Sequence, residues 1–187
     1  MSERDGGVSA PEEEVFVGGS ERVEIVVVDY DPRWPTRFTV ERNRIVNALG
    51  DQALAVDHIG STSVPGLAAK PIIDICLTVA DSADEGSYLP ALEAAGYELR
   101  VREPDWHEHR MLRTPTRDVH LHVFTAGSSE ILRLVTFRDR LRDSPEDRAL
   151  YASTKKRLAA TDWTTMQDYA DAKTEVIAQI LDRATHA

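Results

Sequence analysis

Between His58 and Ile75 the chain gathers residue types that handle phosphate and metal: Gly60, Ser61, Thr62 and Ser63 in one short turn, then Lys70, then Asp74. A glycine lets backbone N–H groups come close to an anion, and hydroxyls donate to phosphate oxygens. Lys70 adds a compact positive charge. Asp74 stands in the apolar run 72–79, which is otherwise interrupted only by Cys76 and Thr78. A carboxylate in a buried strand is costly unless it is paired or binds a metal. Asp74 therefore either meets an arginine or loop N–H groups, or serves a ligand site. The turn also has a plain reading, with Thr62 or Ser63 capping a short helical turn over 64–68.

Side chains alternate along a strand. Over 72–79, Ile73, Ile75, Leu77 and Val79 fall on one face, and Asp74, Cys76 and Thr78 on the other. Over 118–125, Asp118, His120, His122 and Phe124 share a face. Two histidines two residues apart on a strand can converge on a metal ion, or can decorate a solvated face. If the two strands are neighbours, Asp74, His120 and His122 form a two-histidine, one-carboxylate set. In Trp106-His107-Glu108-His109-Arg110, strand alternation makes His107 and His109 a second candidate pair. Arg110 is then a candidate phosphate clamp, against the alternative of a solvated hairpin edge. Lys173 lies near the helical face of Tyr169, Val176, Ile177 and Ile180, and either snorkels to solvent or reaches the site. Arg138 can pair with Asp139 or with a site carboxylate. Cys76 reads as a small core-lining residue.

The elements that must position these groups follow from periodicity and punctuation. Strands are expected at 23–28, 53–59, 72–79, 97–102, 106–114 and 118–125. A helix opens with Asp31 as N-cap and Pro32 at the first position, and runs to Gly50. Further helices are expected at 89–95, 129–142, 145–160 and 164–184. The layout is mixed α/β, with a partly antiparallel sheet and a helical C-terminal third. Residues 1–22, with Glu12-Glu13-Glu14 and paired glycines, read as a flexible acidic tail, and 23–187 as a single domain.

The net charge of −10 argues against long nucleic acid as a partner, while leaving room for a small phosphorylated ligand. No apolar run is long enough to span a membrane. Cys76 is the only cysteine, which excludes a disulfide framework, and no secretory signal opens the chain, so a cytoplasmic setting is expected. Neither a Gly-x4-Gly-Lys-Ser/Thr nor a Gly-x-Gly-x-x-Gly pattern occurs, and no nucleophile elbow surrounds Ser61.

Taken together, segment 58–75, His120 with His122, Phe137-Arg138-Asp139 with Leu141-Arg142, Tyr169 with Lys173, and the early Tyr30-Asp31-Pro32-x-Trp34 resemble the GrpB family. The resemblance covers roughly residues 24–184. It implies a nucleotidyltransferase-like mixed sheet flanked by helices, in which a Gly-Ser turn precedes a strand carrying a pair of metal carboxylates. Gly60-Ser61 and Asp74 match that pattern, Cys76 stands at the second acidic position, and His120 and His122 occupy the later strand. With one carboxylate replaced by a thiol, one divalent ion is expected rather than two. Mg²⁺ or Mn²⁺ is the first expectation, with Zn²⁺ or Fe²⁺ favoured by histidine ligands. The expected activity is nucleotidyl transfer or related chemistry on a nucleotide or other phosphorylated small molecule. Asp74 and Lys70 would be catalytic, Gly60, Ser61, Thr62, Ser63 and Arg110 would hold phosphate, and Asp74, His120 and His122 would hold metal. The family also resembles the accessory domain fused to some dephospho-CoA kinases. That likeness gives the alternative: a non-catalytic binding or folding-accessory domain with a protein partner. A histidine-metal hydrolase is a third reading.

Overall fold

The apolar run around Asp74 becomes the inner strand β2 (Ile73–Val79), buried along nearly its whole length. Its two neighbours are β1 (Ala55–Ile59), antiparallel, and β5 (Val119–Thr125), parallel. Strands β3 (Glu98–Glu103) and β4 (His109–Arg113) extend the sheet on the β5 side. The order is β1-β2-β5-β4-β3, a mixed five-stranded sheet. The computed structural model describes residues 26–160 and 172–186, together with Val15 and Val17.

Helices α1 (Trp34–Leu49) and α2 (Glu85–Ala94) bury Trp34, Ile45, Leu49, Tyr88 and Leu92 against one sheet face. That face is built from Ile73, Ile75, Leu77, Val79, Val119, Leu121 and Val123, the apolar halves of the two alternating patterns. On the opposite face, Ile131 and Leu134 of α3 (Ser129–Asp143) pack on Ile59, Cys76 and Phe124. Helices α4 (Pro145–Ala159) and α5 (Thr174–Thr185) join α3 around a second core of Leu141, Tyr151, Val176 and Ile180. Val64 and Leu67 from the loop after Gly60 enter that core, which pins the turn to the helical third. Asp147, buried at the start of α4, ties the helices together by accepting from Arg140 at 2.7 Å and Arg183 at 2.6 Å. Among the described residues no helix is long and apolar enough to cross a membrane.

Several boundaries differ from the sequence expectation. The first helix begins at Trp34 with Arg33 as its N-cap. Asp31 instead accepts from the Arg33 N–H at 2.9 Å and from its guanidinium, closing a turn before the helix. Of the strand expected over 23–28, residues 23–25 lie outside the described residues, and 26–28 show one bridge, Val28 to Ala69. The helix expected from residue 89 starts a turn earlier, at Glu85, and carries Pro90 inside it. Residues 106–108 are not strand: His107 and Glu108 adopt φ of 56° and 50°, forming a turn that delays β4 to His109. The Val17 N–H donates to the Arg100 carbonyl of β3 at 2.8 Å. The helix expected at 164–184 is seen as Thr174–Thr185; its earlier portion, with Tyr169, lies outside the described residues.

Candidate metal and phosphate site

The register of the central strands decides the site. Asp74 lies opposite His120, and Cys76 opposite His122. Paired residues point to the same face, so the carboxylate and both imidazoles meet. His120 Nδ1 is 3.5 Å from Asp74 Oδ1, and His122 Nε2 is 3.9 Å from the same oxygen. One ligand atom from each lies within 4.8 Å of the other two. These gaps are long for direct hydrogen bonds. Two donors bound about 2.1 Å from a common ion at a tetrahedral angle stand roughly 3.4 Å apart, so the donor set fits a divalent cation. The three side chains are 30%, 26% and 27% exposed, which leaves the site open to a ligand. Burial pushes the Asp74 carboxyl up, but the neighbouring imidazoles of His120 and His122 outweigh it and hold the group below the usual carboxylate range.

The Gly60 turn is fitted against this carboxylate. Gly60 has φ 68°, and a Cβ there would sit 2.9 Å from Asp74 Cβ and closer still to Oδ2. Glycine is thus required twice over, by conformation and by contact. Ser61 opens the 3₁₀ turn Ser61–Ser63 and is half-buried. Thr62 and Ser63 are buried, and their hydroxyls brace the turn. Thr62 Oγ1 donates to the Ile72 carbonyl at 3.1 Å and meets His58 Nε2 at 3.0 Å. Ser63 Oγ donates to the Gly60 carbonyl at 2.6 Å. The backbone is held from behind by Arg142, which donates to the Ser63 carbonyl at 2.9 Å. His58 itself belongs to the other sheet face, where it stacks on Phe38. Burial lowers it to about 4.

Positive charge collects on the same side from three elements. Lys70 precedes β2, Lys155 lies in α4 and Lys173 stands at the N-cap of α5. Lys155 is buried, donates to the Ala68 carbonyl at 2.6 Å and lies over the Tyr151 ring at 4.9 Å. Burial, then repulsion from Lys173, lowers Lys155 to about 7 and Lys70 to about 8; the Asp74 charge opposes both shifts. Burial also lowers Lys173, again against Asp74. The ammonium groups therefore sense one another and the Asp74 carboxylate. Sequence reasoning missed Lys155. The available signal was its position four residues after Tyr151, on the apolar side of α4.

Arg110 is not brought to this site. It pairs with Val123, so it points to the face opposite His122, where its Nε donates to Glu85 Oε1 at 2.7 Å. His107 and His109 do not form a strand pair either, because His107 is in the turn. His109 instead lies beside His122: its Nε2 is 3.0 Å from His122 Nδ1, and its Nδ1 is 2.6 Å from Glu103 Oε2. Burial lowers the His109 pKa despite Glu103. Cys76 is buried between Ile59 and Phe124, and burial, then the charges of Asp57 and Glu130, push its thiol up to about 12. A thiol in that state is not an activated nucleophile. Arg138 pairs with Asp139 at 2.8 Å and reaches Asp57 and the His58 carbonyl.

The family described as GrpB protein matches residues 24–183. A UPF0157 protein of Halalkalibacterium halodurans is 55% identical over 160 residues, covering 86% of this chain and 82% of that protein. The crystal structure of the conserved protein GrpB from Enterococcus faecalis superposes with a TM-score of 0.76 at 35% identity, covering 85% of this chain and 96% of that one. A protein named dephospho-CoA kinase from Mycolicibacterium paratuberculosis is 32% identical over 161 residues; the match takes in 72% of this chain but only 40% of that protein.

Proposed function

The chain belongs to the GrpB family, and on that footing we propose that its Asp74 site is a one-metal centre for a nucleotide or other phosphorylated small molecule. The observation that carries this is the pairing of Asp74 with His120 across β2 and β5, which gathers three metal-type donors beside three desolvated lysines. The layout supports a nucleotidyltransferase-like reading: a glycine-serine turn packed on the carboxylate of the following strand, with further ligands on the neighbouring strand. A divalent ion held there would supply Lewis-acid polarisation of a phosphoryl oxygen. Asp74, His120 and His122 are the residues that would hold it. Gly60 lets the turn backbone lie against the site. Ser61 is the turn hydroxyl assigned to phosphate, while Thr62 and Ser63 keep the turn rigid. Lys70, Lys155 and Lys173 offset phosphate charge, and Lys70 is assigned the role nearest to the reacting group. The neutral thiol of Cys76, at the position where a second carboxylate would stand, limits the site to one ion.

Isothermal titration of Mn²⁺, Zn²⁺ and Mg²⁺, then of nucleoside triphosphates, tests this on wild type and on Asp74→Ala. Metal binding that vanishes in the variant is expected; equal binding by both proteins sinks the assignment.

Cys76 favours a second reading, a non-catalytic binding or folding-accessory domain, and the partial match to a protein named dephospho-CoA kinase is in keeping with it. Metal-dependent turnover of a nucleotide by the wild-type chain excludes that reading.

A further inference from the structure

The hydrogen-bonded row Glu103, His109, His122 has a direction, and that direction bears on the metal reading above, on which this inference rests. Glu103 Oε2 lies 2.6 Å from His109 Nδ1, and His109 Nε2 lies 3.0 Å from His122 Nδ1. A carboxylate only accepts, so His109 Nδ1 carries the proton of the first bond. A neutral imidazole has a single N–H. His109 Nε2 is then an acceptor, and His122 Nδ1 must donate to it. That leaves His122 Nε2 with a bare lone pair, and Nε2 is the atom facing Asp74 Oδ1 at 3.9 Å. A lone pair facing a carboxylate gives no attraction by itself; a cation between them converts both into ligands.

The surroundings hold His109 in place. Its side chain is 7% exposed. Its ring stacks on Phe124 at 4.8 Å and on His122 at 5.2 Å, with Trp106 edge-on at 5.2 Å. The left-handed pair His107 and Glu108 forms the turn that brings β4 back with His109 on the His122 face. We infer that His109 and Glu103 are positioning residues: they fix His122 as its Nδ1–H tautomer and so present Nε2 to a divalent cation. Partners of this kind orient metal-binding imidazoles and raise their basicity, and losing one typically weakens metal affinity by about 10–100-fold.

The test uses the full chain labelled with ¹⁵N histidine. Long-range ¹H–¹⁵N spectra read the His122 tautomer, and calorimetry reads Zn²⁺ affinity, for wild type, His109→Phe, Glu103→Leu and Glu103→Gln. Phenylalanine keeps the aromatic packing between Phe124 and Trp106, and Glu103 is the last residue of the edge strand β3. Wild type is expected to show His122 as Nδ1–H. His109→Phe and Glu103→Leu should shift it toward Nε2–H and weaken Zn²⁺ binding about 10–100-fold. Glu103→Gln keeps an accepting oxygen and should retain most of the affinity. An Nε2–H tautomer in wild type overturns the inference, as does Zn²⁺ affinity unchanged in both His109→Phe and Glu103→Leu. Should His122 be Nδ1–H while wild type binds no divalent ion, the positioning by His109 stands and the metal reading fails.

Discussion

Gly60→Ala perturbs the closest contact in the site. The new Cβ would stand 2.9 Å from Asp74 Cβ, with Oδ2 closer still. Ordinary carbon contacts lie at about 3.5–4.0 Å, so the carboxylate or the turn must retreat by roughly 1 Å. Overpacking of this kind costs about 1–3 kcal/mol. The backbone adds to it: φ 68° with ψ −175° is a region that essentially only glycine occupies, worth about 1–3 kcal/mol for another residue. The sum is about 2–6 kcal/mol. Gly66→Ala is the reference without the steric clash, since Gly66 also has a positive φ, 77°, and a Cβ added there would meet no atom within 4 Å. It should show the cost of a positive φ without the clash. Urea denaturation, read as a change of midpoint at constant slope, gives the two stabilities. Calorimetry with Zn²⁺ reads the site, because displacing Asp74 moves it away from His120 and His122. Gly60→Ala should lose about 1–3 kcal/mol more than Gly66→Ala and at least about tenfold in Zn²⁺ affinity, while Gly66→Ala binds normally. Equal costs and equal affinities in the two variants would refute the fitted turn.

The desolvated lysines make anion binding depend on pH. Lys155 and Lys70 lose their protons as pH rises through about 7 and about 8, so affinity for inorganic triphosphate should be full in mild acid and fall across that window. Calorimetry in buffers of different ionisation enthalpy should show proton uptake on binding near pH 8, and Lys155→Met should remove the component near pH 7. An affinity profile identical in wild type and Lys155→Met contradicts the role of that lysine. Cys76→Asp places a carboxylate among Ile59, Phe124, Ile131 and Leu134. It should lower stability by about 2–5 kcal/mol in the presence of a chelator, with part recovered by excess Mn²⁺. No difference between chelator and Mn²⁺ would mean that position 76 does not reach the metal. Asp147→Ala removes the acceptor shared by Arg140 and Arg183 and should cost about 3 kcal/mol by urea denaturation, with Zn²⁺ affinity intact.

The parts of the site carried by strand alternation were legible in the sequence. Asp74, Cys76 and Thr78 do share a face, as do His120, His122 and Phe124, because a two-residue period leaves few choices once one half of each strand is apolar. The neighbourhood of β2 and β5, stated from sequence only as a condition, is met with Asp74 opposite His120. Arg110 was misplaced by register, since it pairs with Val123 and so faces away from His122, and His107 for a local reason. The positive φ of His107 and Glu108 ends the strand pattern there, and neither residue type advertises it. Lys155 was hidden because a lysine on a helix usually reads as solvated; only its tertiary setting, under Tyr151 and against the Ala68 carbonyl, reveals it. The link from Glu103 through His109 to His122 crosses three strands, and a single sequence carries no signal for it. The C-terminal helical third was legible from caps such as Ser144, whose hydroxyl accepts from the Asp147 N–H at 3.2 Å.

The central claim is that Asp74, His120 and His122 share one divalent ion. Anomalous diffraction from crystals soaked in Mn²⁺, and separately in Zn²⁺, tests it most directly. A single peak bounded by Asp74 Oδ1, His120 Nδ1 and His122 Nε2, absent from Asp74→Ala crystals, is the predicted result. No peak there at saturating metal, or a peak that persists in Asp74→Ala, would contradict it.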